Sequence, residues 1–208
     1  MKEYSVVMAL VDFVPVVLFA LAGAALAKAL SAKMSKGLFA VFAGGVIDVT
    51  AAGALKALYK LLYAAGVCDF EALSDIFMPL QSLGFLLAGA AVLVMAAKDG
   101  KKDKTAAAAA FAAAPPYFSG TFVFIGMMVA GLGAMAAGLS VEARRAKKPA
   151  AAVLFGVSFI CSLCMGYLSS QDFAVALYNW IAEGVNIVGQ GTLMLGALML
   201  NKALKPAE

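Results

Sequence analysis

Six stretches of this 208-residue chain, at about 8–30, 37–57, 76–97, 121–140, 149–168 and 176–200, are apolar almost throughout. Roughly 20 such residues in a helix cross the hydrocarbon core of a bilayer, and a helix satisfies its own backbone hydrogen bonds there. The stretches therefore predict an all-α integral membrane protein. Composition agrees, with 64% apolar and 13% charged residues, against about 25% charged in an ordinary soluble domain. Little chain is left between the stretches, so residues 1–208 are read as a single polytopic membrane domain. The first apolar run is longer than the core of a cleavable leader and is read as a span.

The chain has three cysteines and no histidine. Zinc, haem and catalytic-dyad sites built on imidazole are thereby excluded, and no metal, cofactor or catalytic site is expected. Cys161 and Cys164 spell a CxxC, but inside the apolar run "VSFICSLCMGYL". A redox pair needs exposed, activated thiolates, so these two read as packing residues on one helix face. The net charge of +4 comes from short basic clusters at 33–36, 98–104 and 144–148. Those clusters read as topology signals, with the lipid bilayer and a small solute as partners and no nucleic acid. Homo-oligomerisation is compatible with this reading.

Whether the tract "TAAAAAFAAAPPYFSG", residues 105–120, crosses the membrane decides between six and seven spans. With six, the basic residues divide nine against seven between the two sides. With seven, all but Lys2, Lys56 and Lys60 of the 16 basic residues fall on one side, as the preference of Lys and Arg for the cytoplasmic side requires. Tyr4, Tyr59, Tyr63, Tyr117, Tyr167, Tyr178 and Trp180 then all fall at outer span ends, where amphipathic rings gather. Seven transmembrane helices are expected, with the amino terminus outside and the carboxyl terminus inside. The chain is expected in the cell membrane as a multi-pass protein, the cytoplasmic membrane in a bacterium. Over 104–120 the fourth span would rise only about 25 Å at 1.5 Å per residue, and Pro115 and Pro116 would kink or end it. It needs stronger helices on both sides.

Those stronger units look alike. "CDFEALSDIFMPLQSLGFLLAG" parallels "QDFAVALYNWIAEGVNIVGQGTLMLG", with Gln81 against Asn186 and Gly84 against Gly189. Upstream, "AGAALAKAL" parallels "LGAMAAGLS", with Gly23 against Gly133. Three-helix units over 1–97 and 121–208, joined by a linker helix over 98–120, would give a 3+1+3 repeat with both units in the same orientation. This organisation resembles the SWEET and PQ-loop transporters, a class with parallel repeats about an axis along the membrane normal. The resemblance covers the whole chain at the level of architecture. The Pro-Gln dipeptide is absent, and Pro15 and Pro79 in the first and third spans have no counterparts in the fifth or seventh.

Polar side chains at membrane depth are costly and tend to face a cavity or one another. Asn179, Glu183, Asn186 and Gln190 recur at i, i+4, i+7 and i+11, which stacks them on one face of the last helix. That stripe is a solute-binding wall or an interhelical hydrogen-bond ladder. Asp48, in "AGGVIDVTAAG", falls near the midplane and is the candidate coupling or cation-binding carboxyl; the alternative is a neutral acid bonded to Thr50 or a carbonyl. Gln81 adds to the wall, and Asp12 and Asp75 to the outer mouth. Lys56 and Lys60, one turn apart, either snorkel outward or pair with these acids.

The expected function is a transporter or facilitator that moves a small polar or cationic solute through a central cavity, driven by a gradient if coupled. A non-transporting sensor or accessory subunit is the alternative and would show a polar, lipid-facing surface on the last span. An intramembrane lipid enzyme would need Asp48 and Glu183 to converge on one substrate.

Overall fold

A computed structural model describes residues 5–98, 121–168 and 176–204, and all regular structure among them is helical. The helices are α1 (Val6–Val11), α2 (Phe13–Leu30), α3 (Lys36–Ala64), α4 (Ala72–Asp75), α5 (Phe77–Lys98), α6 (Thr121–Arg145), α7 (Pro149–Leu168) and α8 (Ala176–Leu204). Counting α1 with α2 and α4 with α5, six helices are long and apolar enough to cross a membrane. The protein is a multi-pass membrane protein. Residues 99–120, with the alanine tract, Lys102 and Tyr117, lie outside the described residues, as does Tyr4.

Local sequence sets the breaks. Pro15 lacks an N–H and its ring crowds the carbonyl four residues back, and the helix interrupts at Asp12, between α1 and α2. Pro79 falls in the first turn of α5 and Pro149 at the first position of α7, where no intrahelical N–H is needed. Ser5 and Ser35 accept from the backbone N–H of Met8 and Leu38 and cap α1 and α3. Gly66 closes α3 with a φ of 68°, giving the left-handed exit common at helix ends.

The long helices form a closed ring in the order α2, α3, α5, α6, α7, α8, with α8 returning to α2. Directions follow from the contacts. Val16 meets Gly53 and Val46 meets Gly23, so α2 and α3 are antiparallel. Gly45 meets Ala88 and Gly84 meets Val49, so α3 and α5 are antiparallel too. Between α5 and α6 the numbers rise together: Phe85 beside Gly131, Val92 beside Gly138, and the Ala96 carbonyl accepting from Arg145 at 2.9 Å. These two helices are parallel. Antiparallel contacts return between α6 and α7, where Ser140 bonds the Ala152 carbonyl and Gly133 faces Phe159. They continue between α7 and α8, where Cys161 meets Gly189 and Phe155 meets Gly196. It follows that α8 and α2 are parallel, and that Lys98 and Thr121 lie at opposite ends of the bundle.

The ring's outer surface is apolar, with Val17, Leu21, Ile47, Val153, Ile160, Val188 and Leu195 exposed, as lipid contact requires. Inside, one half is packed: Leu26, Leu30, Phe42, Leu139, Phe155 and Leu200 are fully buried. At the end of that half Lys33 pairs with Glu142 at 2.5 Å, and Arg145 pairs with the same carboxylate at 2.8 Å. This basic end also carries Arg144, Lys148 and Lys202.

Two expectations need correction. The second span was expected to end near residue 57, but α3 runs to Ala64, because Lys56 and Lys60 turn into the ring and the helix stays packed around them. Tyr59 was expected at the membrane interface of an outer span end; its ring is 2% exposed, packed among the helices, and its hydroxyl donates at 3.1 Å to Asp69 in the exposed loop after α3.

The parallel seam depends on close backbone approach, the usual role of small residues between membrane helices. A Cβ on Gly131 would overlap the Phe85 carbonyl, and one on Gly89 would overlap the Gly131 carbonyl. Gly131→Ala should therefore destabilise the protein by about 1–3 kcal/mol, read as thermal unfolding in detergent. Gly156→Ala, whose Cβ would meet open space, should melt like the parent. Equal melting of both variants would contradict this packing.

Candidate functional site

The unfilled half of the ring holds a cavity of about 410 Å³, a size that accommodates small molecules. All six long helices contribute to its wall. The break at Asp12 carries that side chain to the top of the ring, where it is 7% exposed. Lys60, on the last turns of α3, reaches it at 2.6 Å. The same ammonium lies 3.9 Å from Glu183 of α8, itself 7% exposed. One lysine thus meets carboxyls from the α1–α2 break and from α8. The apolar bundle makes this cluster consequential, because attraction between charges grows as the local dielectric falls, and so does the cost of leaving one unpaired.

The carboxyls are incompletely satisfied. Asp12 Oδ1 and Glu183 Oε2 are buried without a hydrogen-bond donor, and so is Gln190 Oε1 deeper along α8. Gln190 Nε2 donates to Asn186 Oδ1 at 3.4 Å, so that pair offers part of its capacity to the cavity. Lys56 stands one turn below Lys60 on α3 and lines the same space. Its ammonium lies 3.9 Å from the Phe77 ring centroid, a cation–π contact, and it has no carboxylate within ion-pair distance among the described residues.

Of the residues singled out from sequence, Glu183, Asn186, Gln190, Gln81 and Asp12 meet at this cavity. Their helical face points inward, and Ile181, Val188 and Leu195 occupy the exposed face of α8. Three others do not join them. Asn179 is buried one turn above Glu183, outside the cavity wall. Asp75 ends α4 on the exposed surface. Asp48 is half-buried on α3 away from the cavity, one position from the exposed Ile47. Thr50 is not its partner, since the Thr50 hydroxyl donates to the Val46 carbonyl at 2.8 Å. With Asp48 outside and Glu183 inside, the two carboxyls do not share one space.

Of the two alternatives read for Lys56 and Lys60, pairing with an acid of the mouth holds for Lys60 and Asp12; the depth of both lysines inside the ring and the second partner, Glu183, were missed. Their four-residue spacing placed them on one face, but the acids that draw Lys60 inward lie on helices remote in sequence. Glu142 was also missed. It is 2% exposed and bound by Lys33 and Arg145; an acid in the middle of the basic run "SVEARRAKK" was the available signal.

No protein-family model, curated protein or solved structure matches the chain.

Breaking a buried ion pair by removing one partner typically costs about 3–5 kcal/mol, and neutralising every partner restores much of that loss. Lys60→Met should therefore lower thermal stability sharply in detergent. Combining it with Asp12→Asn and Glu183→Gln should recover most of the loss. A Lys60→Met protein that melts like the parent would show that the cluster does not bear on stability.

Proposed function

We propose that the protein is a seven-span transporter or facilitator that moves a small polar solute across a cell membrane. Two three-helix units, within 1–97 and 121–208, would stand in the same orientation and enclose the solute path, joined by a crossing helix within 98–120. The observation that carries this reading is the cavity itself, walled by charged and amide side chains from both units and set inside an apolar ring.

Several features support the repeat. The parallel seam between α5 and α6, which sets Lys98 and Thr121 at opposite ends of the bundle, is the arrangement a crossing linker helix would produce. Gly23 faces Val46 of the second helix in its unit, and Gly133 faces Phe159 of the second helix in its own. Gly84 meets Val49 of α3, just as Gly189 meets Cys161 of α7. Each pair contains residues that align in the two halves of the sequence. Gln81 and Asn186, also aligned, both line the cavity.

In this reading Gln81, Asn186 and Gln190 are hydrogen-bonding walls, and Asp12, Lys60 and Glu183 form the charged mouth. Intramembrane carboxyls commonly serve as coupling sites; Asp12 and Glu183 line the cavity and Asp48 does not, so the first two suit that role better. The packed half, pinned by Lys33 and Glu142, would seal the opposite side and open as the units rock against each other. A sensor or accessory subunit would use a polar lipid-facing surface on the last helix, and Ile181, Val188 and Leu195 leave little of one.

Single cysteines in a cysteine-free background test the path. Those replacing Gln81, Asn186 and Gln190 should react with small hydrophilic thiol reagents from the side of Asp12. Cysteines replacing Ile181 and Val188 should stay inert in lipid. Uniformly inert wall positions would leave a solute path without support.

A further inference from the structure

We infer that the cavity binds a small zwitterion, an amino-acid-like molecule whose ammonium and carboxylate are close together and whose remainder is apolar. The inference rests on reading the cavity as a solute path and names the solute's chemical class. It begins with the charges that face the space. Asp12 from the α1–α2 break, Lys56 and Lys60 from α3, and Glu183 from α8 all line it. Their formal charges cancel, so the wall as a whole selects neither cations nor anions.

Unmet bonding capacity of both signs remains within that neutral wall. Asp12 Oδ1, Glu183 Oε2 and Gln190 Oε1 are buried acceptors without an amide, hydroxyl or ammonium donor, and the Asp12 and Glu183 carboxyls lie within hydrogen-bond reach of each other, a pair of acceptors that one ammonium can bridge. An ammonium group brings three N–H donors and no acceptor. Lys56 is a donor that meets the Phe77 ring and, among the described residues, no carboxylate at ion-pair distance; a bound carboxylate gives it a counter-charge. Lys56 lies one turn from Lys60, roughly 6 Å along the helix axis. The anion-seeking lysine is thus displaced by about one turn from the carboxyls that Lys60 holds. A molecule with neighbouring ammonium and carboxylate groups can address both, with its ammonium toward Asp12 and Glu183 and its carboxylate toward Lys56.

The rest of the wall determines the remainder of the molecule. Phe19, Phe85, Ile125, Met128, Leu132 and Met165 give the cavity a broad apolar side, suited to an aliphatic or aromatic side chain. A simple amine would leave Lys56 without a counter-charge. A simple carboxylate would leave the orphaned acceptors unsatisfied and add negative charge beside Asp12 and Glu183. A neutral polyol offers hydrogen bonds but no charge for Lys56.

Three probes separate these cases: leucine, 3-methylbutylamine, which is leucine without its carboxylate, and 4-methylpentanoate, which is leucine without its ammonium. Thermal unfolding of the purified full-length protein in detergent is measured with each at millimolar concentration, beside glycine, alanine and phenylalanine. Leucine or phenylalanine should raise the melting temperature, and the amine and the acid should not. Lys56→Met removes no ion pair and should fold, while weakening zwitterion binding about tenfold or more, the scale of one lost charge-assisted hydrogen bond. Lys56→Arg should retain binding. Stabilisation by the amine equal to that by leucine would overturn the inference in favour of a cation site, and equal stabilisation by the acid in favour of an anion site. No shift with any of the four zwitterions would also overturn it. Uptake of radiolabelled leucine and of the amine into proteoliposomes keeps the two readings apart. Leucine that binds but does not enter leaves the zwitterion site standing and removes the transport reading. Entry of the amine alone does the reverse.

Discussion

A lysine ammonium drawn into an apolar bundle is costly unless counter-charge comes with it, and Lys60 meets two carboxyls at 2.6 and 3.9 Å. Those carboxyls belong to the α1–α2 break and to α8, so one side chain joins three parts of the ring. Much else depends on this convergence. It keeps α3 helical and inward-facing through Ala64 and closes α8 onto α2. It also holds the top of the ring apart enough to leave a cavity, since charged side chains with unfilled bonding capacity cannot pack as leucine and phenylalanine do in the opposite half. The cavity and its charges therefore have one cause.

The two ends of the bundle use similar chemistry with different surroundings. At the basic end Glu142 is held by Lys33 and Arg145, and Arg145 also bonds the Ala96 carbonyl. That carboxylate is matched on every side, and apolar side chains fill the space beneath it. At the cavity end the carboxyls share Lys60 and retain oxygens with no donor. A saturated cluster above a packed core suits a seal; an unsaturated one above a cavity suits a binding site. If the helices within 1–97 and 121–208 move as two units, as proposed, they can exchange these roles by rocking along the parallel seams between α5 and α6 and between α8 and α2.

Six long helices were legible in the sequence to within a few residues, apart from the end of the second, because a 20-residue apolar run has few alternatives in a bilayer. The inward face of α8 was legible too: the spacing of Glu183, Asn186 and Gln190 needs only helical geometry. Information held between helices was not. Lys60 sits near an aqueous end by local count, and only Asp12 and Glu183, brought in by the ring, make it a buried residue. Asp48 read as central because depth is countable along one helix, whereas the direction a residue faces depends on which neighbours the helix acquires. The close contact of Gly89 and Gly131 likewise belongs to a helix pair, and neither glycine is distinctive in its own segment.

The parallel seam between α5 and α6 is one of the two contacts that join the helices within 1–97 to those within 121–208 and so close the ring. A pulsed electron-spin distance measurement tests it, with nitroxide labels on Ala97→Cys and Phe122→Cys in a cysteine-free background. Ala97 and Phe122 are both exposed, one on the last turn of α5 and the other on the first turn of α6. Parallel helices put those turns at opposite ends, roughly 30 Å apart at 1.5 Å per residue. A hairpin of adjacent antiparallel helices, with axes 8–10 Å apart, would instead give a separation under about 20 Å, and that result would contradict the architecture.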